Sequence, residues 1–229
     1  VSTVIAGSNQ KSSYKLINFL TMKYNTVTLG QIEAMINKLG GEKGMQDFLA
    51  GRMEVVKRKF HQFGDDLLNG KGTFTAPDNY NHDTQVDDFA KKTRKLKSTY
   101  YYNDELTSKN FSKATNKLIP GKTYGVKMFP LLEGGISSED CLAFLESNNA
   151  ILVGAQGITA LQADQPDIFP TGKWTVSFDE KDALWKDAGG GHRVPYVSRY
   201  SFGDWEFDLG YFEGSWNSDD VLVCFCDLD

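Results

Sequence analysis

The stretch VPYVSRYSFGDWEFDLGYF, residues 194–212, decides the fold class of this 229-residue chain. In its second half, apolar residues alternate with polar residues or glycine: Trp205, Phe207, Leu209 and Tyr211 alternate with Glu206, Asp208 and Gly210. Successive side chains of a strand point to opposite faces of the sheet, so one face here is apolar and the other is solvated. The pattern therefore predicts a strand of an antiparallel sheet.

Other apolar stretches of the C-terminal half are predicted to be strands as well: residues 123–132, 150–154, 173–178 and 221–227. Between the first two, Ser137 and Asp140 have the spacing of a capping box, so a helix is expected to run from there to residue 147. The order strand–helix–strand over residues 123–154 has the length of a βαβ unit. The two strands of that unit are therefore predicted to be parallel.

The N-terminal third has helical periodicity instead. Helices are expected over residues 11–24, over 28–38 with Thr28 as the cap, and over 42–49, followed by a strand over 53–60. Gly40 and Gly41 separate the second helix from the third, and one of these glycines should adopt a positive φ, because a residue without Cβ enters the left-handed region at little cost.

We expect an α+β fold in which this helical N-terminal third packs on a mixed, mostly antiparallel C-terminal sheet. The whole chain, 1–229, is expected to form a single domain. Residues 65–83 are rich in Gly, Asn and Asp, and a seam between the helical part and the sheet part would fall there. A further amphipathic helix is predicted within residues 83–98.

Composition limits the classes of function. The net charge is −5 and the pI is near 5.3, so the whole molecule does not attract nucleic acid or an anionic membrane. No apolar run approaches the roughly 18 residues that span a bilayer, and the first residues lack the basic start of a secretory signal. Three cysteines are too few for a disulfide framework, which indicates free thiols in a reducing compartment, the cytoplasm.

The block TLGQIEAMINKLGGEKGMQDFLAGRMEVV, residues 28–56, resembles the opening of an uncharacterised protein family of small-genome, candidate-phylum bacteria. Members of that family begin with the pattern T.GQ.EA..NKLGG..G...FL.G...V. They end with a glycine-rich loop, a Trp-bearing segment and an apolar strand, to which GGGHR, FEGSW and VLVCFCDLD are loosely similar. The resemblance implies a bacterial, cytoplasmic origin. It implies no catalytic residue, because the family has no assigned function.

Motifs for phosphate, calcium and zinc are incomplete. PGKTYG has Asn116 where a phosphate-binding loop needs glycine, and a strand rather than a helix follows it. DNYNHD lacks the glycine and the final glutamate of a calcium loop. The histidines His61, His82 and His192 are isolated from one another in the sequence. No metal site and no cofactor is therefore expected.

The sequence has three other functional interpretations, each with a structural alternative for the same residues. The helix pair around Gly40 and Gly41 could be a helix-turn-helix, but its second helix offers bases only Lys43 and Gln46. The basic segment Lys91–Lys97 could bind nucleic acid, although acidic residues precede it. Cys141 and His192 could form the catalytic pair of a hydrolase or transferase, since a thiol in the first turn of a helix has a lowered pKa and His192 is expected in a mobile loop.

The leading hypothesis is a non-catalytic binding module for an unknown protein or a small-molecule ligand, with no nucleic-acid or membrane partner. Aromatic residues with few convergent titratable groups suit recognition better than chemistry. The expected binding surface is the aromatic, acidic region 196–216 together with the adjacent loop. The candidate residues are His192, Arg193, Tyr196, Trp205, Tyr211 and Trp216.

Overall fold

A computed structural model describes residues 28–53 and 60–228 of the chain. The chain divides into two compact units, residues 1–59 and residues 60–229. The helix predicted over 11–24 and nearly all of the strand predicted over 53–60 lie outside the described residues. The seam expected at 65–83 lies within the second unit, and that stretch contains a strand. That the whole chain forms one domain stays a prediction.

The described part of the first unit is a helix pair, α1 (Leu29–Lys38) and α2 (Gly41–Leu49). Thr28 caps α1 through a capping box: its Oγ1 accepts a hydrogen bond from the N–H of Gln31 at 3.2 Å, and its own N–H donates to Gln31 Oε1 at 2.8 Å. Gly40 has φ of +92° and Gly41 has φ of +76°. The predicted glycine hinge between the two helices is therefore confirmed.

The second unit combines helices with a large sheet. Its helices are α3 (Gln85–Thr93), α4 (Ser138–Ser147) and α5 (Gly154–Asp164). Its strands are β1 (Gly72–Thr75), β2 (Thr99–Tyr102), β3 (Thr123–Pro130), β4 (Ile136–Ser137), β5 (Trp174–Val176), β6 (Trp185–Lys186), β7 (His192–Arg199), β8 (Trp205–Tyr211), β9 (Ser215–Trp216) and β10 (Asp220–Cys226).

Within the described residues, eight strands form one sheet in the order β1-β3-β10-β5-β7-β8-β2, with β6 paired to β7 beside that path. The pairs β10–β5 and β8–β2 are parallel, and the other pairs of this sheet are antiparallel. Strands β4 and β9 form a separate antiparallel pair. The α+β class and the mixed, mostly antiparallel sheet are thus confirmed.

The βαβ unit predicted over 123–154 is wrong. Strand β3 is antiparallel to both of its neighbours, and Ile151 makes only an isolated antiparallel bridge to Phe225. Gly154 already begins α5, which the sequence pattern did not indicate. All but two of its residues are buried, so this helix lacks the polar face that creates a helical period in a sequence.

Both faces of the sheet carry a hydrophobic core. Helices α3 and α5 cover one face, on which Phe207 and Val197 are buried. Helix α4 covers part of the opposite face through Phe144 and Leu145. Toward β2, however, that second face has exposed side chains, and the candidate site lies there.

Candidate functional site

The exposed part of the second face carries aromatic and acidic side chains from four strands and one hairpin. On β8 the residues that point to this face are Glu206 and Asp208, since Phe207 between them points into the opposite core. Register places Tyr196 opposite Asp208 and Tyr101 opposite Glu206, and Trp174 is opposite Ser198 on β7. We call this surface the aromatic–acidic strip; its members are Tyr100, Tyr101, Trp174, Tyr196, Tyr200, Phe202, Glu206 and Asp208.

Hydrogen bonds fix the two carboxylates of the strip. Asp208 accepts a hydrogen bond from the Tyr196 hydroxyl at 3.1 Å and another from the Asn103 side-chain amide at 2.6 Å. Glu206 accepts one from the Tyr200 hydroxyl at 2.6 Å. Each carboxylate oxygen can accept more than one hydrogen bond, so these contacts orient the carboxylates without using all of their acceptor capacity.

Ring contacts join most of the aromatic members in two groups. The Trp174 and Tyr196 rings are stacked with centroids 5.3 Å apart, and the Tyr200 and Phe202 rings are parallel at 5.3 Å. The large apolar side chains of the strip remain open to solvent: Phe202 is 68% exposed, Tyr100 67%, Tyr101 43% and Trp174 40%. Clustered exposed aromatic residues are typical of surfaces that bind a ligand or partner.

The strip has a negative electrostatic character. Partial burial and then the charges of Asp208, Asp104 and Glu206 raise the pKa of Tyr101. The hydrogen bond to Glu206, followed by burial and the charge of Glu206, raises the pKa of Tyr200 to about 12. Among the described residues, neither Glu206 nor Asp208 forms an ion pair. Their charge is therefore not neutralised by a cation of the chain itself.

A cavity of about 570 Å³ adjoins the strip where β2 ends and β8 continues. Its lining includes Tyr101, Asn103, Glu105, Trp185, Arg193 and Asp208. The Arg193 guanidinium is already occupied: Nε donates to Asp187 at 2.8 Å and the group lies 3.4 Å from the centroid of the Tyr211 ring. Among the described residues, Glu105 and Asp208 therefore line the cavity without an ion pair to a lysine or arginine.

Two of the six residues predicted to bind contribute to this region. Tyr196 belongs to the strip, although it is itself only 8% exposed, and Arg193 lines the cavity. Tyr211 is half exposed and lies under the guanidinium of Arg193. The sequence showed the acidic positions of β8. It gave no signal that Tyr101 and Trp174 lie on the same face, since both belong to strands that are far from β8 along the sequence.

The other three predicted residues are buried elsewhere. Trp205 packs in the core with its ring edge-to-face against Phe169, and the indole N–H of Trp216 donates to Ser138 Oγ at 2.8 Å. His192 is the first residue of β7 rather than part of a loop, and its Nδ1 lies 2.6 Å from Glu213. These side chains stabilise the fold.

The alternative sites receive no support from the geometry. Cys141 is fully buried among apolar side chains, and burial raises the pKa of its thiol, whereas we expected the helix to lower it. In the basic segment, Lys91 pairs with Asp88 at 2.8 Å and Arg94 pairs with Asp104 at 2.7 Å, which reduces the charge available to phosphates. Within residues 28–53 and 60–228, no three acidic, histidine or cysteine side chains are grouped as metal ligands would be.

Comparison of the chain with protein-family models, with curated proteins and with solved structures finds no match. Among the helices that the structure describes, none has both the length and the apolar composition needed to cross a membrane.

Proposed function

We propose that this protein is a non-catalytic binding module and that its aromatic–acidic strip binds a positively charged segment of a partner protein. One observation carries the proposal: exposed rings surround two oriented carboxylates that no cation of the described chain neutralises. The function of the strip is inferred from this combination alone.

Both components of the strip favour a cation. An aromatic face attracts a lysine or arginine side chain through its quadrupole, at about 0.5–1 kcal/mol for an exposed contact. Complementary charges also guide association and select among partners. An anionic ligand such as nucleic acid would be repelled by Glu206 and Asp208, and a neutral ligand would leave their charge without a counterion.

A binding role also agrees with the state of the titratable groups. The Tyr196 and Tyr200 hydroxyls donate to carboxylates. The pKa values of Tyr101, Tyr196 and Tyr200 are raised, so these hydroxyls stay protonated at neutral pH and are poor bases and nucleophiles. We further propose a cytoplasmic location. The free thiols of Cys141 and Cys224 support it, since thiols persist in a reducing compartment.

The proposal is tested with a fluorescein-labelled peptide of about ten residues in which serine and lysine alternate, so that every lysine can face the strip. Fluorescence anisotropy should show saturable binding that weakens as salt rises from low concentration to about 0.15 M. Tyr101→Ala should lower the affinity about two- to fivefold. Tyr101→Phe should retain it, because the ring is kept.

The charge dependence has a matched control. Glu206→Gln with Asp208→Asn should weaken binding more than Tyr101→Ala, whereas Glu133→Gln, an exposed acid outside the strip, should leave the affinity unchanged. Equal binding of a peptide with glutamate in place of lysine would contradict the proposal. So would a double variant that binds as tightly as the wild type, or preferential binding of a neutral oligosaccharide.

A further inference from the structure

Strand β8 has a free backbone edge beside the cavity. Phe212 N–H donates to the His192 carbonyl, and Asn103 N–H donates to the Phe207 carbonyl. Successive residues of a strand direct their backbone groups to opposite neighbours. The N–H and C=O of Leu209 therefore point away from β7, to the side on which β2 has already ended at Tyr102.

No strand of the described residues occupies the position beside Leu209 on this edge of β8. The hydrogen bond from the Asn103 N–H to the Phe207 carbonyl is the last backbone–backbone bond that joins the segment after β2 to β8; beyond it only the Asn103 side chain reaches β8, at the Asp208 carboxylate. No described group bonds the backbone of Leu209 on this side. Leu209 instead lines the 570 Å³ cavity. A strand edge with unpaired N–H and C=O groups is a template for an added strand.

We infer that the partner segment binds in an extended conformation, as a short strand added to β8 at Leu209, with a basic side chain beside Asp208. This inference rests on the proposed function, because it uses the same positively charged partner. Charge complementarity selects the occupant: Glu105 and Asp208 border the place of the added strand, and Arg193 is already held by Asp187.

Tyr101 and Asp208 belong both to the strip and to the lining of the cavity, so a strand added in the cavity would contact the strip as well. Side chains of an extended segment alternate, so one set faces the strip while the other set faces the opposite side of the sheet. A lysine on the strip side would lie near Asp208, and its neighbours would pass the rim formed by Trp185 and the following loop. Backbone hydrogen bonds would supply affinity that does not depend on sequence, and the carboxylates would supply selection for charge.

The test uses the serine–lysine peptide with single backbone N-methyl groups, which remove one N–H donor and leave every charge in place. If the peptide adds as a strand, methyl groups at alternate positions near its centre should weaken binding roughly two- to tenfold each, and those at the positions between should have little effect. Uniform tolerance of all N-methyl groups would overturn the added strand while leaving charge-dependent binding intact. Absence of binding by the unmethylated peptide would overturn the proposed function itself.

Amide hydrogen exchange of the full chain gives a second measurement with an internal control. The Leu209 amide should exchange readily in the free protein and become protected when the serine–lysine peptide is added. The amide of Phe207, which faces the paired part of β2, should be protected in both states. Unchanged exchange at Leu209 in the peptide complex would refute the inference. So would protection without peptide that rises with protein concentration, since that result would identify a second copy of this chain as the occupant.

Discussion

Asp179 offers a direct test of the structure, because it is a carboxylate with no exposure to solvent. Its Oδ1 accepts a hydrogen bond from the Thr115 N–H at 2.9 Å, and its Oδ2 has no hydrogen-bond partner. Gly154 approaches it so closely that a Cβ there would lie 1.8 Å from Oδ2. Burial raises the pKa of Asp179 to about 6, against the smaller opposing effect of the hydrogen bonds from Thr115.

The magnitude follows from linkage. An unperturbed aspartate has a pKa near 3.9, and raising that pKa to about 6 corresponds to about 3 kcal/mol. Because the folded-state pKa is raised, the folded protein keeps a proton that the unfolded chain releases between about pH 4 and pH 6. The stability associated with the protonated carboxyl is therefore fully present below about pH 4, and it is lost as the pH rises through about 6.

Asp179→Asn removes this ionisation. At pH 8 the variant should be more stable relative to the wild type than it is at pH 4, and the difference between the two comparisons should approach about 3 kcal/mol. Urea unfolding followed by tryptophan fluorescence between pH 4 and pH 8 measures it, and subtracting the wild-type curve cancels the other titrating groups. Glu133→Gln, at an exposed position, should give a flat difference. A flat difference for Asp179→Asn as well would refute the raised pKa.

Two further predictions concern the thiols and the glycine hinge. Cys141 and Cys224 should react with a thiol reagent only after denaturant is added, because both are buried and burial raises the pKa of their thiols; rapid labelling of Cys141 in native protein would contradict its core position. Gly40→Ala should lower the denaturant midpoint, since its φ of +92° costs about 1 kcal/mol for a residue with a Cβ, although no atom lies within 4 Å of that Cβ. Gly30→Ala, inside α1, should raise the midpoint instead, and equal effects at the two glycines would refute the hinge.

The elements that sequence predicted well depend on local signals. The cap at Thr28, the hinge at Gly40 and the Ser137 cap of α4 each result from a few neighbouring residues, and all three are present. The alternation on β8 was equally easy to recognise, because buried apolar residues alternate with less buried residues along this strand. Helix α5 and the antiparallel pairing of β3 with β10 could not be read in this way, since they depend on packing between segments far apart in the chain.

The candidate site was only partly predictable for a related reason. The sequence predicts that aromatic residues form the binding surface, yet on an alternating strand the aromatic face is the one that the rest of the protein covers. Trp205 is consequently core, while Asp208, on the face that looked merely solvated, is the residue around which the strip is organised. Its aromatic neighbours Tyr101 and Trp174 come from β2 and β5. Only sheet register brings them to the acidic face, and the order of strands in a mixed sheet is not encoded in any single stretch. Under the proposed function, the binding surface therefore lies on the polar face of an alternating strand, whereas the aromatic face belongs to the core.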